Sequence, residues 1–260
     1  MQHTYGVIVF VASAALFLGM LLFLELGWRV GARTAATPGA EKKEGAGVLD
    51  SAVFGLFGLL IGFTFSGSTS RFDHRRELVG NVVNTAGTAW QRIETLGPEL
   101  QEGVRVPFRG YIDALVASYT ADTMPKDPLR EPATVTQAQQ ATWSQAVKAC
   151  LTKEGEQARM LLLPALNEMF GAVEEERLAR SLHPPTLVYV IFALTALAAA
   201  FLGGSTMART GHRYWIHRIG VAFTMSLAVF VILEMEYPRL GLIRIDATDQ
   251  ALADLRATMK

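Results

Sequence analysis

Phe57, Ile61 and Phe65 stand at i, i+4 and i+8 of a charge-free run, SAVFGLFGLLIGFTFSGSTS, between Asp50 and Arg71. On a helix that spacing makes one bulky apolar stripe. Repeated around an axis by several copies of the chain, such a stripe forms rings that gate ions by dewetting. Thr64, Ser66, Ser68 and Ser70 follow it, and then come Arg71, Arg75 and Arg76. With Thr64, Ser66 and the three arginines this reads as a polar, positive mouth that attracts anions. Lipid contact, or packing against other spans, accounts for the same apolar spacing. An ordinary interfacial helix end accounts for the mouth. Gly55, Gly58 and Gly62 lie near one face of the run. Gly58-x-x-x-Gly62 is a spacing that lets another helix backbone approach closely, in the same chain or another.

Catalytic chemistry finds no comparable support. The chain has no G-x-S-x-G, no H-E-x-x-H and no phosphate-cradling G-x-x-x-x-G-K-[ST]. Its one cysteine, Cys150, allows neither an intramolecular disulfide nor a Cys-based metal site. The histidines are scattered, and the run Glu174, Glu175, Glu176 reads as the solvated face of a helix. No enzyme activity, cofactor or metal is expected. A net charge of zero gives no footprint for nucleic acid. Glu25 and Glu234 sit near the ends of apolar runs, where snorkelling and local pairing, such as Glu25 with Arg29, explain them.

The elements that would position these residues are membrane spans. Half of the residues are hydrophobic. A helix needs about 20 apolar residues to cross a bilayer. Besides the run at Ser51–Ser70, three stretches qualify: Thr4–Leu24, Pro184–Ala208, and Ile219–Leu233 extended by the interfacial rings of Tyr214, Trp215 and Tyr237. The first lacks a basic n-region and is too long for a signal-peptide core, so it reads as a retained helix. The fold class expected is an all-α integral membrane protein with four transmembrane helices and a helical extramembrane domain between the second and third. Residues 1–70 hold two spans and a connector, 71–183 the helical domain, 184–238 the other two spans, and 239–260 a C-terminal tail.

Within 71–183, the second span continues as helix to about Leu96, with Val79, Val82, Val83, Ala86 and Trp90 in a stripe. Pro98 opens another helix. The three prolines between Asp122 and Pro132 mark a loop, and one long helix is expected from Thr134 to Leu182. Arg29–Val48 and Arg209–Arg218 read as the two connectors on the opposite side. Their lysines and arginines place the connectors in the cytoplasm and the helical domain outside.

Several segments together resemble the bestrophin-like membrane domain family of bacteria: GLLIGFTFSGSTSRFDHRR, NVVNTAGTAW, LNEM at Leu166–Met169, the His-Pro-Pro before the third span, and EYPRLGLIRID. The resemblance covers nearly the whole chain. It implies a distant relation to bestrophins, pentameric anion channels with four spans and a large helical domain. It implies a homo-oligomer, a pentamer by analogy, with the second span lining the pore and Phe57, Ile61 and Phe65 at its neck. The expected partners are the lipid bilayer and inorganic ions, and the expected location is a bacterial inner membrane. The resemblance puts the helical domain in the cytoplasm, against the charge rule. No calcium-loop pattern is present, so calcium gating does not carry over. The alternative is a membrane-anchored sensor or scaffold whose helical domain binds a partner without conduction.

Overall fold

The computed structural model describes residues 2–36, 45–120, 132–209, 214–239 and 241–260. Among these there are eight α-helices, one 3₁₀ turn and no strand. They are α1 (Gln2–Ala35), α2 (Gly45–Ile93), α3 (Pro98–Thr120), α4 (Ala133–Cys150), α5 (Arg159–Ser181), α6 (Thr186–Arg209), α7 (Trp215–Glu236) and α8 (Asp246–Thr258). Four of them are long and apolar enough to cross a membrane: α1, α2, α6 and α7. Contacts divide the chain into two units, His3–Arg71 with Pro184–Ile243, and Phe72–His183 with Arg244–Lys260.

In the apolar unit, α1 and α6 run parallel and touch backbone to backbone. A Cβ added at Gly27 would overlap the Phe201 carbonyl, one at Gly31 would overlap that of Ser205, and one at Gly204 that of Leu24. Lipid is as apolar as leucine, so close backbone contact rather than hydrophobic exclusion holds such a pair. Alanines at 196, 199 and 200 extend this thin seam into a core with Met20, Leu24, Phe57 and Phe192. α7 runs antiparallel to α1. Tyr5 donates to the Leu233 carbonyl at 2.7 Å near one end, and Arg218 meets Glu25 at 3.0 Å near the other.

Two expectations about the connectors change. α1 continues through Arg29 and Arg33 to Ala35, and α2 begins at Gly45, so most of the first connector outside residues 37–44 is helix. Arg218 belongs to the first turn of α7, not to a loop. It is buried, pairs with Glu25 and donates to the Leu24 carbonyl at 3.1 Å. Glu25 also accepts from Arg29 at 2.9 Å, the expected local pair.

The second unit packs the later half of α2 with α3, α4, α5 and α8. Val79, Val82, Ala86, Ala89 and Ile93 of α2 meet Val104, Phe108, Ile112 and Leu115 of α3 and Leu162, Leu166 and Met169 of α5. The helix expected from Thr134 to Leu182 is broken between Cys150 and Arg159. Thr152 Oγ1 accepts the Gly155 N–H at 3.1 Å, a local bond that competes with the helix ladder. A Cβ at Gly155 would overlap the Ala149 carbonyl, so only glycine fits this tight return. Residues 122–131 of the three-proline loop lie outside the described residues. The acidic run is not uniformly solvated. Glu176 is buried and pairs with Arg180 at 3.0 Å. Exposed Glu174 is hydrogen-bonded to Arg177, whose guanidinium holds the carboxyl below its ordinary range.

α8 is an element not foreseen in the 239–260 tail. Ile245, Leu252 and Met259 recur every seven residues and are buried in this unit's core. Arg256 pairs with Asp113 at 2.8 Å, and Arg109 donates to the Lys260 carbonyl at 3.0 Å.

Cys150 closes α4 inside the same core, and burial pushes its thiol above the usual value. The thiolate is the nucleophile, so this thiol is chemically quiet. A maleimide at neutral pH is expected to modify the native protein at under about a tenth of the rate seen in denaturant. Equal rates by mass spectrometry would show that the α4–α5 core opens freely.

Candidate pore helix and its polar anchors

α2 has the least cover from its own chain. Of its most apolar 18 residues 11% are buried, against 22–28% for the other three spans. Its inward residues are Phe57, Ile61, Thr64, Ser68 and Arg71, spaced by three and four. Phe57 is only 2% exposed and packs on Phe192 with ring centroids 5.4 Å apart. Ile61 is partly covered by the same core, whereas Phe65 is 43% exposed. The three do not form one pore-facing stripe. The reason is rotational: four residues advance a helix by about 400°, so each i+4 step turns about 40° and two steps turn about 80°. Phe57 anchors the span within the chain, and Phe65 has rotated outward.

The side of α2 opposite Phe57 carries Leu59, Phe63, Ser66 and Ser70, all exposed, with Phe63 at 68%. Gly55, Gly58 and Gly62 have open space where a Cβ would stand. Among the described residues nothing stands within 4 Å of such a Cβ. The glycines that bring spans together are those of the α1–α6 seam. Leu59, Phe63, Ser66 and Ser70 therefore make a strip that is apolar for two helical turns and hydroxyl-bearing for the next. Thr64, placed at the mouth by its sequence position, bonds back to the Leu60 carbonyl at 2.7 Å.

The expected positive mouth is also rearranged. Arg71 turns into the bundle. Its Nε lies 3.2 Å from the Glu236 carboxylate, its Nη2 also meets that carboxylate, and Ser68 Oγ donates to the same oxygen at 2.7 Å. A carboxylate buried at the end of α7 needs this charge and hydroxyl, because an unpaired charge in a dry setting is costly. Arg75 is buried in the second unit. It donates to the Leu182 carbonyl at 2.9 Å and the Ala179 carbonyl at 3.3 Å. A cation at the negative end of α5 satisfies carbonyls that the helix leaves open. Of the three arginines only Arg76 is well exposed, 3.6 Å from exposed Asp73. Further along, Glu77 is exposed as well.

A second acid at the end of α7, Glu234, is buried and hooks the chain that leaves the span. It accepts the backbone N–H of Leu242 and, at 3.4 Å, that of Ile243. A Cβ at Gly241 would overlap its carboxylate, which explains the glycine in YPRLGLIR. The roles of Glu234 and Glu236 escaped the sequence reading. Two acids two residues apart beside an interfacial tyrosine were the available signal.

No group of three or more metal-ligating side chains occurs among the described residues. Three crystal structures of a bacterial bestrophin homolog from Klebsiella pneumoniae, each with a single mutation, share this fold. The first has a TM-score of 0.71 at 15% identity, covering 96% of this chain and 98% of that one. The second has 0.65 at 15% (93% and 99%), and the third 0.63 at 16% (94% and 98%). No curated protein sequence matches the chain. A family model described as a bestrophin-like domain matches residues 8–250, and the chain belongs to the bestrophin-like family.

Proposed function

We propose that the protein is an ion channel built from several copies of the chain, with the uncovered side of α2 lining the path. The carrying observation is that strip itself. Leu59 and Phe63, followed by Ser66 and Ser70, are exposed on the side of α2 opposite Phe57. A ring of copies would turn the two apolar positions into a constriction that gates by dewetting, with hydroxyls beyond it. The open glycines leave room for a neighbouring copy or for ions close to the backbone. Phe65, about 100° around the helix from Ser66, lies off the strip, and neither it nor Phe57 would contribute to the neck.

The resemblance implies anions. The charges favour a different preference. Arg71 and Arg75 are committed to Glu236 and to the end of α5, which leaves exposed Asp73 and Glu77 against exposed Arg76, a net negative charge on α2 beyond Ser70. Rings of carboxylates select cations. We therefore read the conducted ion as a small inorganic cation.

The test is conductance of the purified protein in a planar bilayer under a potassium chloride gradient. A reversal potential on the potassium side is expected. Asp73→Asn with Glu77→Gln is expected to move it toward zero, and Leu59→Ala with Phe63→Ala to raise open probability severalfold. Absence of current from well-folded protein, or a monomer in detergent, would remove the channel reading and leave the sensor or scaffold. A reversal potential on the chloride side would restore the anion reading.

A further inference from the structure

Past Glu77 the exposed side of α2 continues through Asn81, Asn84, Thr88 and Gln91. At about 100° per residue, Asp73 and these four all stand within about 40° of Glu77 around the helix. One face therefore carries two carboxylates, then carboxamides and a hydroxyl, with no lysine or arginine among them. Its rotation is fixed from behind: Val79, Val82, Ala86 and Ala89 are buried in the core of this unit. From Leu78 to Gln91 the helix has no charged residue, whereas the exposed sides of α3 and α5 carry Glu99, Glu102 and Asp113, and Glu168, Glu174 and Glu175. The face is too polar to meet lipid or to form a dry contact between copies, whose centre would be apolar. Thr88 turns its hydroxyl hydrogen back to the Asn84 main-chain carbonyl at 3.0 Å, and Thr85 does the same to Asn81 at 2.8 Å. Among the described residues neither asparagine side chain has a partner.

From this register we infer that Asn81 and Asn84 form a second station for the permeating cation and set the preference among monovalent cations. The inference rests on the channel reading above. A ring of copies that turns Asp73 and Glu77 toward the path turns the two asparagines toward it as well, because one helix carries all four. The two groups of residues then act differently. Carboxylates act by charge and favour cations as a class. A carboxamide oxygen has no net charge and works by replacing part of an ion's hydration shell, as backbone carbonyls do in selective filters. An ion that holds its water loosely, such as potassium, gives up that shell more readily than lithium. The two side chains stand about 4.5 Å apart along the helix axis, so each copy adds to two successive rings of oxygens. The carboxylates admit the cation and the carboxamides sort it by size.

The test places the full-length protein in a planar bilayer with potassium chloride on one side and lithium chloride on the other. The parent is expected to pass potassium over lithium by about fivefold or more, the worth of one neutral polar contact. In the Asn81→Ala, Asn84→Ala double variant that preference is expected to fall to the ratio of the two ions' mobilities in water. Asn167→Ala, at an exposed asparagine of α5, is expected to leave it unchanged. A cationic methanethiosulfonate is expected to cut the current through Asn84→Cys and to spare both Asn167→Cys and the parent, whose own Cys150 is buried. A parent ratio no greater than that of the mobilities, an unchanged ratio in the double variant, or no block at Asn84→Cys would overturn this station while leaving the cation channel in place. If the double variant misfolds, the block at Asn84→Cys decides. Absence of current, or a reversal potential on the chloride side of a potassium chloride gradient, would overturn the cation-channel reading and this station together.

Discussion

Gly27→Leu is expected to part α1 from α6 and to lower the stability of the detergent-solubilised protein by at least about 3 kcal/mol. The estimate takes the upper end of the usual overpacking range for a physical reason. The obstructing atoms at Gly27 are the carbonyl and Cα of Phe201, not the flexible tip of a side chain. A helix backbone gives way only by moving the helix. Gly204→Leu meets the Leu24 backbone and is expected to act alike, with incomplete additivity because both lie on one seam. Gly58→Leu is the control. Its Cβ enters open space, so the fold of the single chain is expected to change by under about 0.5 kcal/mol. Thermal unfolding followed by intrinsic fluorescence, with the oligomer profile measured in parallel, separates the two outcomes. If Gly58→Leu leaves unfolding alone and breaks assembly, the open side of α2 is an intersubunit surface. If Gly27→Leu unfolds like the parent protein, the α1–α6 seam is wrong.

The second large effect is expected at Arg71. Breaking a buried pair by removing one partner costs about 3–5 kcal/mol, because the remaining charge is stranded. The two partners are unequal. The Glu236 side chain is 1% exposed and Arg71 32%. Arg71→Met leaves a carboxylate that cannot reach water, so the upper part of that range applies. Glu236→Gln leaves a guanidinium that is partly hydrated, with a side-chain amide still able to meet Ser68, so the cost is expected to fall below about 3 kcal/mol. The double variant Arg71→Met, Glu236→Met is expected to recover most of the loss, since an apolar pair of similar volume does not strand a charge. Denaturant titration of the three variants and the parent closes the cycle. Equal losses for Arg71→Met and Glu236→Gln would refute the asymmetry.

The spans were legible because membrane crossing is a composition problem. About 20 residues without charge satisfy it, and Ser51–Ser70 does so whatever it packs against. The stripe Val79, Val82, Ala86 was equally plain, because one face of a water-exposed helix must be apolar. Partner choice was not legible. Gly27-x-x-x-Gly31 and Gly58-x-x-x-Gly62 have the same spacing, yet only the first meets a backbone of its own chain. Arg71 at a span end reads the same whether it faces water or Glu236, its partner 165 residues away in sequence. Phe57 and Phe65 share a pattern that a turn of about 80° divides between core and exterior. In each case pattern supplied a face, and only tertiary contact determined what the face meets.

α8 carries a consequence for how the protein is made. Ile245, Leu252 and Met259 complete a core whose other walls, α2 to α5, are translated before α6 and α7. At about 5–20 residues per second, the wait between the end of α5 and the arrival of α8 is roughly 4–15 s. During that interval a partly open apolar surface stands beside a ribosome still feeding two spans into the bilayer. The closing helix can reach it only if both spans cross, since a single crossing strands α8 on the wrong side. A chain in which only one of α6 and α7 crossed would therefore leave this core without Leu252.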